Sequence, residues 1–197
     1  MTIAATIERF GTVTMRLMAA ALAAAVLLSG LSAGSAAAKG RADIVGTAVA
    51  INDATGWFDT LIAAATCEYL GTTVTDLLSS PDKTLFAPTD WAFQKLGQQL
   101  GLGKKGLNPH NICDVDKLLG EGTLLTVLGY HVIDDRVSYQ EAVKASPTKV
   151  KMLLGGKARI TGTWWTLRID GARIILPNLR ASNGYIHVVD RVLNPLS

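Results

Sequence analysis

The sequence has few of the residues from which catalytic and metal sites are usually built. Its 197 residues include only two cysteines and three histidines. The cysteines form no C-x-x-C pair, and His110, His131 and His187 match no zinc-binding spacing. Past residue 38 there is no G-x-S-x-G elbow, no P-loop and no G-x-G-x-x-G that follows a predicted strand. We therefore predict no catalytic residues, no metal and no cofactor, and an enzyme is the least favoured class of function.

Charge is also scarce and nearly balanced. Charged residues make up 18% of the chain, and its formal net charge is +3. A dedicated nucleic-acid-binding domain needs a clustered basic face, whereas Lys104 and Lys105 are the only adjacent basic pair. The composition therefore does not predict a nucleic-acid partner.

The sequence has no apolar run of the length that a membrane-spanning helix requires. The apolar run at residues 17–28 is shorter than the roughly 20 residues of such a helix. Arg16 precedes it, and Ala36 and Ala38 follow in an A-x-A arrangement, which predicts a secretory signal peptide at residues 1–38. Residues 39–197 then form a secreted or periplasmic chain, the size of one domain, with no membrane span. An uncleaved anchor is the alternative, and translation starts at Met1 or Met15.

The two cysteines are candidates for a disulfide. Cys67 and Cys113 form an even count in a chain that we expect to be exported, where disulfides persist. Closing the loop between them stabilises the fold by roughly 4 kcal/mol if chain entropy dominates. The alternative is two separate buried thiols that behave as small apolar side chains.

Local signals divide the chain into a helix-rich first part and a hairpin-rich second part. Asp43 is a predicted helix cap, and Ser138-x-x-Glu141 is a predicted capping box. Residues 58–69 have apolar side chains at helical spacing, which places Tyr69 on the buried side. Predicted turns in the second part are Gly155-Gly156, Asp170-Gly171 and Asn183-Gly184. The pattern predicts a single α+β domain.

Three segments stand in the order found in one protein family. They are residues 84–93 (TLFAPTDWAF), residues 130–133 (YHVI) and residues 183–195 (NGYIHVVDRVLNP). In the first, Pro88 ends a strand, and Thr89 or Asp90 can cap the helix that follows. Together the segments resemble the signature segments of the fasciclin (FAS1) domain, and the similarity extends from about residue 43 to residue 195.

The resemblance implies both a fold and a function. The implied fold is α+β, a β-sandwich or wedge with helices packed along it. The implied function is adhesion, by binding of a protein or polysaccharide at a cell surface or matrix without catalysis, as a monomer or a weakly self-associating module. Some FAS1-like proteins bind carotenoids, so the alternative is a carrier of a carotenoid or lipid. The predicted structural residues are Thr89, Asp90, Asn183, Gly184 and His187.

The middle segment supplies two candidate binding residues. In some animal FAS1 proteins, the Tyr-His segment is proposed to contribute to integrin contacts. That role can be carried onto Tyr130 and His131. The favoured alternatives are core packing for Tyr130 and hydrogen bonding to the backbone for His131.

Tryptophan and arginine supply the other candidate binding residues. Trp91 occupies a position where the family usually has a polar residue, and we expect it to be exposed on the first turn of a helix. If Leu167 and Ile169 face inward, alternation buries Trp165 and turns Trp164 outward beside Arg168. Exposed tryptophan beside arginine is typical of binding surfaces, although Trp164 packed against a loop or neighbouring strand is the alternative. The candidates for a basic strip that binds an acidic polysaccharide are Arg159, Arg168, Arg173 and Arg180, and the favoured alternative is that they form a scattered solvated face.

Overall fold

The computed structural model describes residues 40–195, so the predicted signal peptide lies outside the described residues. This part of the chain contains seven α-helices and seven β-strands, which confirms the predicted α+β fold. The helices are α1 (Ile44–Thr55), α2 (Asp59–Ala65), α3 (Thr73–Ser79), α4 (Asp90–Gln99), α5 (Val115–Leu119), α6 (Thr123–Gly129) and α7 (Tyr139–Ala145). The strands are β1 (Lys83–Pro88), β2 (Val132–Ile133), β3 (Thr148–Lys151), β4 (Lys157–Thr161), β5 (Arg168–Ile169), β6 (Ala172–Ala181) and β7 (Gly184–Val189).

Three of the seven described helices begin at a residue whose side chain caps them, namely Asp43, Thr89 and Ser138. The Asp43 carboxylate accepts a hydrogen bond from the Gly46 N–H at 2.8 Å and caps α1, and Ser138 and Glu141 form the predicted capping box of α7. The prediction for Tyr69 is wrong, because α2 ends at Ala65 and Tyr69 falls in a separate 3₁₀ turn, where it is 51% exposed. No helix among residues 40–195 has both the length and the apolar character needed to cross a membrane.

The strands form one mixed sheet in the order β2-β1-β7-β6-β5-β4-β3. β1 and β7 pair in parallel, and every other neighbouring pair is antiparallel. Along β6 the register shifts between Ile174 and Leu176 and again between Leu176 and Leu179. Such irregularities bend a strand and increase its twist. β6 therefore joins a β1–β7 half (β2, β1 and β7) to a β3–β5 half (β3, β4 and β5).

Two apolar clusters form the core, and the β1–β7 half lies between them. Leu85 and Ile186 belong to the first cluster, which the helices of the first part of the chain complete. Phe86 and Val189 point the other way, into the second cluster. β1 and β7 are thus buried on both faces, as expected for parallel strands in the middle of a fold. β3, β4 and β5 contact only the second cluster, so one of their faces remains exposed.

The predicted disulfide is present between Cys67 and Cys113, with an S–S distance of 2.05 Å. It connects Cys67, two residues past the end of α2, to the 3₁₀ turn Ile112–Asp114. The bond therefore restrains the long connection between α4 and α5, which otherwise consists mainly of turns.

Candidate functional site

The corner between β1 and α4 is built from two capping residues with different targets. Thr89 caps α4, since its hydroxyl accepts a hydrogen bond from the Ala92 N–H at 3.4 Å. The Asp90 carboxylate instead accepts from the N–H groups of Thr60 at 2.7 Å and Asp59 at 3.3 Å. Asp90 therefore caps α2, which lacks a side-chain cap of its own, rather than the helix that it begins.

This corner places two tryptophans at the surface. Trp91 is 56% exposed, as expected, and the Lys95 ammonium lies 4.6 Å from the centre of its ring. Trp57, which the sequence analysis did not single out, is 42% exposed, and its carbonyl accepts a hydrogen bond from the Asp90 N–H at 2.9 Å. Trp57 lies between two helices, and nothing in its local sequence predicted its exposure.

Asn183 holds three separate segments together. Its side-chain oxygen accepts a hydrogen bond from the Ile44 N–H at 2.9 Å. Its amide group donates to the carbonyls of Leu78 at 2.7 Å and Ser80 at 2.8 Å. The next residue, Gly184, is packed so closely on Lys83 that a Cβ would overlap the Lys83 carbonyl oxygen. Both residues therefore have structural roles at the start of β7.

The two motif histidines are buried, and backbone groups engage both ring nitrogens of each. His131 donates from Nδ1 to the Val127 carbonyl at 2.7 Å and accepts at Nε2 from the Leu193 N–H at 2.8 Å. Burial lowers the pKa of His131 to about 4, although the bond to Val127 acts in the opposite direction.

His187 has an equivalent arrangement on β7. Its Nδ1 accepts from the Asn178 N–H at 3.1 Å, and its Nε2 donates to the Val137 carbonyl at 3.0 Å. Burial lowers the pKa of His187 as well, against the effect of that second bond. Neither imidazole has a carboxylate partner among these contacts, so both serve as neutral connectors of the backbone.

Tyr130 is also a buried structural residue. It is 7% exposed, and its hydroxyl donates to the Asp170 carboxylate at 2.7 Å, with the Lys157 carbonyl at 3.2 Å. Burial and the bond to Asp170 raise the pKa of Tyr130 to about 12. With His131 only 1% exposed, the Tyr-His segment does not present the contact surface that the family resemblance suggested.

The prediction for the Trp164-Trp165 pair is half right. Leu167 and Ile169 are buried as expected, and Trp164 is 45% exposed. Trp165, expected to face inward, is 79% exposed. The alternation of a strand does not reach it, because residues 163–166 form a turn closed by the Thr166 N–H and the Thr163 carbonyl at 3.0 Å.

Tyr139 fixes one side of that turn. Its hydroxyl donates to the Trp164 carbonyl at 2.6 Å, and its ring meets the Trp164 ring edge-on at 5.4 Å between centroids. Trp164 is thus held in position while part of its indole remains accessible, and Trp165 extends into solvent beside it.

Arg168 lies on an exposed sheet face with other cations. Alternate residues of β3, β4, β5 and β6 point away from the second core cluster, and six of them are basic. We call this set the basic face: Lys149, Lys151, Lys157, Arg159, Arg168 and Arg173. Of the arginines predicted to form a strip, Arg180 lies elsewhere, since it pairs with Tyr185 beyond both register shifts of β6. The three lysines were not predicted as candidates, and the pairing of β3 with β4 shows that they share this face.

The clefts of the described residues differ in chemistry. An apolar cleft of about 90 Å³ lies between α1, α2 and α3. A second, mainly apolar cleft of about 250 Å³ lies between α4, α5 and α6. Both are smaller than the roughly 300 Å³ at which ligand pockets begin, so neither supports a carotenoid or lipid carrier. Two polar clefts of about 450 and 300 Å³ both reach Asp170 and Asn194. Within residues 40–195, no group of three or more His, Cys, Asp or Glu side chains is arranged to hold a metal ion.

Comparison with known proteins places this geometry in a family. The model of the Fasciclin domain matches residues 58–195. The Synechocystis sp. protein sll1735 is 30% identical over 145 residues, which cover 69% of this chain and 88% of that protein. The immunogenic protein MPB70 of Mycobacterium bovis is 29% identical, over 61% of this chain and 53% of MPB70.

Two further proteins are similar to this chain. The cell surface glycolipoprotein MPB83 of Mycobacterium bovis is 27% identical, over 61% of this chain and 47% of MPB83. The chain thus spans about half the length of these mycobacterial relatives. A FAS1 domain pair from the insect cell adhesion molecule Fasciclin I superposes with a TM-score of 0.48 at 19% identity, over 69% of this chain and 44% of that one. The family match, which covers well over half of the sequence, shows that the chain belongs to the fasciclin domain family.

Proposed function

We propose that this protein is an extracytoplasmic adhesion module that binds a protein or polysaccharide of a cell surface or matrix. Binding takes place on its surface and involves no chemical turnover. The chain acts as a monomer or through weak self-association, which adds avidity when several copies meet one partner.

The exposure of every tryptophan carries this proposal. Tryptophan is highly buried on average, yet Trp57, Trp91, Trp164 and Trp165 are 42, 56, 45 and 79% exposed. Exposed indoles gain most when a partner covers them, since each has a large apolar face and one N–H donor. Tryptophan is accordingly enriched among the residues that dominate binding energy at interfaces.

The roles of the polar motif residues support a binding function over a catalytic one. Both ring nitrogens of His131 and of His187 are hydrogen-bonded to backbone groups. Asn183 uses its whole amide group for structure. The two imidazoles, which are the groups among these that could serve acid–base chemistry, therefore have structural roles instead.

Location outside the cytoplasm has two supports. The Cys67–Cys113 disulfide suits an oxidising compartment. MPB83, one of the relatives, is a cell surface protein by name. We therefore propose export through the signal peptide predicted at residues 1–38 and release of the rest of the chain into the periplasm or the medium.

The proposal is tested by attachment of cells that lack the gene. We expect the deletion to reduce surface attachment, aggregation or biofilm, and the wild-type gene to restore it. Complementation with Trp57→Ala/Trp91→Ala or Trp164→Ala/Trp165→Ala should restore it less well. Tyr69→Ala is the matched control, because Tyr69 is an exposed aromatic residue that is not a tryptophan.

Binding can be measured directly with purified protein. A pull-down from cell-surface extracts and a glycan array, each comparing wild type with Trp164→Ala, should identify partners that the variant retains poorly. Attachment that is unchanged in the deletion strain under all three assays would contradict the proposed function.

A further inference from the structure

The basic face brings like charges together across neighbouring strands. Lys149 is the direct partner of Arg159, Lys151 of Lys157, and Arg168 of Arg173. Side chains directly opposite one another in an antiparallel pair lie close enough to interact, and like charges there are destabilising. Three such pairs on one surface indicate that the positive charge has a use other than stability.

In the part of the chain that the structure describes, no acidic side chain forms an ion pair with this surface. The two ion pairs among residues 40–195 are Lys83–Asp134 and Lys117–Asp114, and neither includes the basic face. Asp170 lies beside Arg159, but its carboxylate accepts hydrogen bonds from the Arg159 N–H and the Tyr130 hydroxyl. No carboxylate among residues 40–195 therefore forms an ion pair with the six cations, although Asp170 and Asp190 lie beside Arg159 and Arg173.

Protection of the sheet edge explains only part of the pattern. β3 is an edge strand, and lysines on such a strand discourage pairing with another molecule. This accounts for Lys149 and Lys151. It does not account for the other four cations, which lie on strands that already have a neighbour on each side: Lys157, Arg159, Arg168 and Arg173.

The surroundings of the basic face suit a linear polymer. Trp164 and Trp165 lie in the turn between β4 and β5, at one end of the face. The cleft of about 450 Å³ includes Lys157 and Arg159 in its wall. It meets the second polar cleft at Asp170 and Asn194, and that cleft continues to Lys95, whose ammonium covers Trp91.

We propose that an acidic polysaccharide binds across the basic face and along these two clefts towards Trp91. Its carboxylate or sulfate groups pair with the lysines and arginines, and its sugar rings stack on the exposed indoles of Trp164 and Trp165. This inference rests on the proposed binding function and names the class of partner.

The test is direct binding of the full-length protein to defined polymers. Polygalacturonate is the carboxylated probe, heparin the sulfated probe and dextran the uncharged control. We expect both anionic polymers to bind and dextran not to bind, with affinity falling as salt rises from 0.05 to 0.5 M, because exposed charges are screened over about 10 Å at 0.1 M.

Matched variants locate the site. Lys157→Gln/Arg159→Gln removes two charges from the basic face and should weaken binding of both anionic polymers about tenfold or more. Lys104→Gln/Lys105→Gln removes the same charge from an exposed loop and should leave binding within about twofold of wild type. Circular dichroism should show both variants folded.

Three outcomes would overturn the inference. They are equal weakening by the two double variants, tighter binding of single-stranded DNA than of either polysaccharide, and tighter binding of anionic lipid vesicles. The proposed function is judged separately. If Lys157→Gln/Arg159→Gln restores attachment of the deletion strain fully while the tryptophan variants do not, the polysaccharide inference fails and the adhesion function stands.

Discussion

The two halves of the sheet use polar residues in opposite ways. In the β1–β7 half, strands are buried on both faces, and buried polar groups such as His131 and His187 are fully hydrogen-bonded. In the β3–β5 half, one face is buried and the other carries closely spaced cations that form no ion pair among residues 40–195. The polar groups of the first half stabilise the fold, whereas those of the second lie at the surface where we propose that a partner binds.

The difference teaches where to look for function in this fold. Residues 84–93 and 183–195, which identify the family, supply β1, β7 and the corner that leads into α4. They are structural for the most part, and Trp91 is the member of these segments with the most exposed large apolar side chain. The contact surface that we propose instead includes residues outside both segments, on β3, β4, β5 and the turn at residues 163–166.

The largest expected effect is in the buried half, at Gly184. Gly184→Ala places a methyl group where it overlaps the Lys83 carbonyl oxygen, so β7 must separate from β1. We expect a loss of about 4 kcal/mol or more in the free energy of unfolding, measured by urea denaturation.

Gly56→Ala provides the control for that substitution. Gly56 ends α1 with a φ of 66°, and no atom lies within 4 Å of the position of an added Cβ. We expect it to cost about 1 kcal/mol, because only the backbone conformation is unfavourable. Equal losses for the two variants would show that close packing of β7 on β1 is unimportant.

The second effect is a pH dependence of the free energy of unfolding, which comes from buried His131. Its pKa is about 4 in the folded state, compared with 6.5 for a free histidine side chain. As the pH falls below 6.5, His131 therefore becomes protonated in the unfolded chain but stays neutral in the folded chain until the pH approaches 4. His131 alone should reduce the free energy of unfolding by about 3 kcal/mol between pH 7.5 and 4, with the loss levelling off below pH 4.

Chemical denaturation at a series of pH values measures this loss. His131→Gln should be less stable at pH 7.5 but should show a shallower decline between pH 6.5 and 4. His110→Gln, at an exposed position, should keep the slope of wild type. A slope unaffected by His131→Gln would exclude His131 as its source.

The third effect is the loss of the Asn183 connections. Asn183→Ala leaves the Ile44 N–H and the carbonyls of Leu78 and Ser80 without their partner. We expect a loss of about 2 kcal/mol, since water can reach these partly buried groups and compensates in part. Thermal unfolding measures it, and Ser182→Ala, at the exposed neighbouring position, should change stability by less than about 0.5 kcal/mol. Similar midpoints for the two variants would refute the structural role of Asn183.

The smallest effect has the opposite sign and concerns the exposed half. Lys157→Gln/Arg159→Gln relieves two like-charge pairs, with Lys151 and Lys149, and should raise the free energy of unfolding by about 0.5 kcal/mol at low salt. The gain should shrink in 0.5 M salt. Lys104→Gln/Lys105→Gln should give a smaller change, and a clear loss of stability in the basic-face variant would contradict the comparison between the two halves.

Sequence predicted the parts of the fold that depend on near neighbours. The Asp43 cap, the Ser138 capping box and the turn at Asp170-Gly171 each involve residues within a few positions of one another. Asp90 shows the limit of this approach. Its carboxylate caps a helix about 30 residues earlier in the chain, and no local pattern distinguishes that from capping its own helix.

The candidate site was less predictable, because exposure and charge clustering depend on pairing and on turn geometry. Trp165 was assigned to the wrong face, since a four-residue turn replaces the assumed strand. The exposure of Trp57 was not predicted, because this residue lies in the short connection between α1 and α2 and no local pattern indicates which way it points. The basic face depends on the registers of β3 with β4 and of β5 with β6, which set residues 5 to 10 positions apart in sequence opposite one another.

The Cys67–Cys113 bond has a consequence for resistance to proteases. The loop between α4 and α5 exposes Lys104 and Lys105, and exposed turns with lysine are sites where trypsin-like enzymes cut. A cut there falls between the two cysteines, so the two fragments remain covalently joined. β1 from one fragment also stays paired with β7 from the other. A nicked molecule therefore persists as a two-chain protein, and its fragments separate on a gel only after reduction.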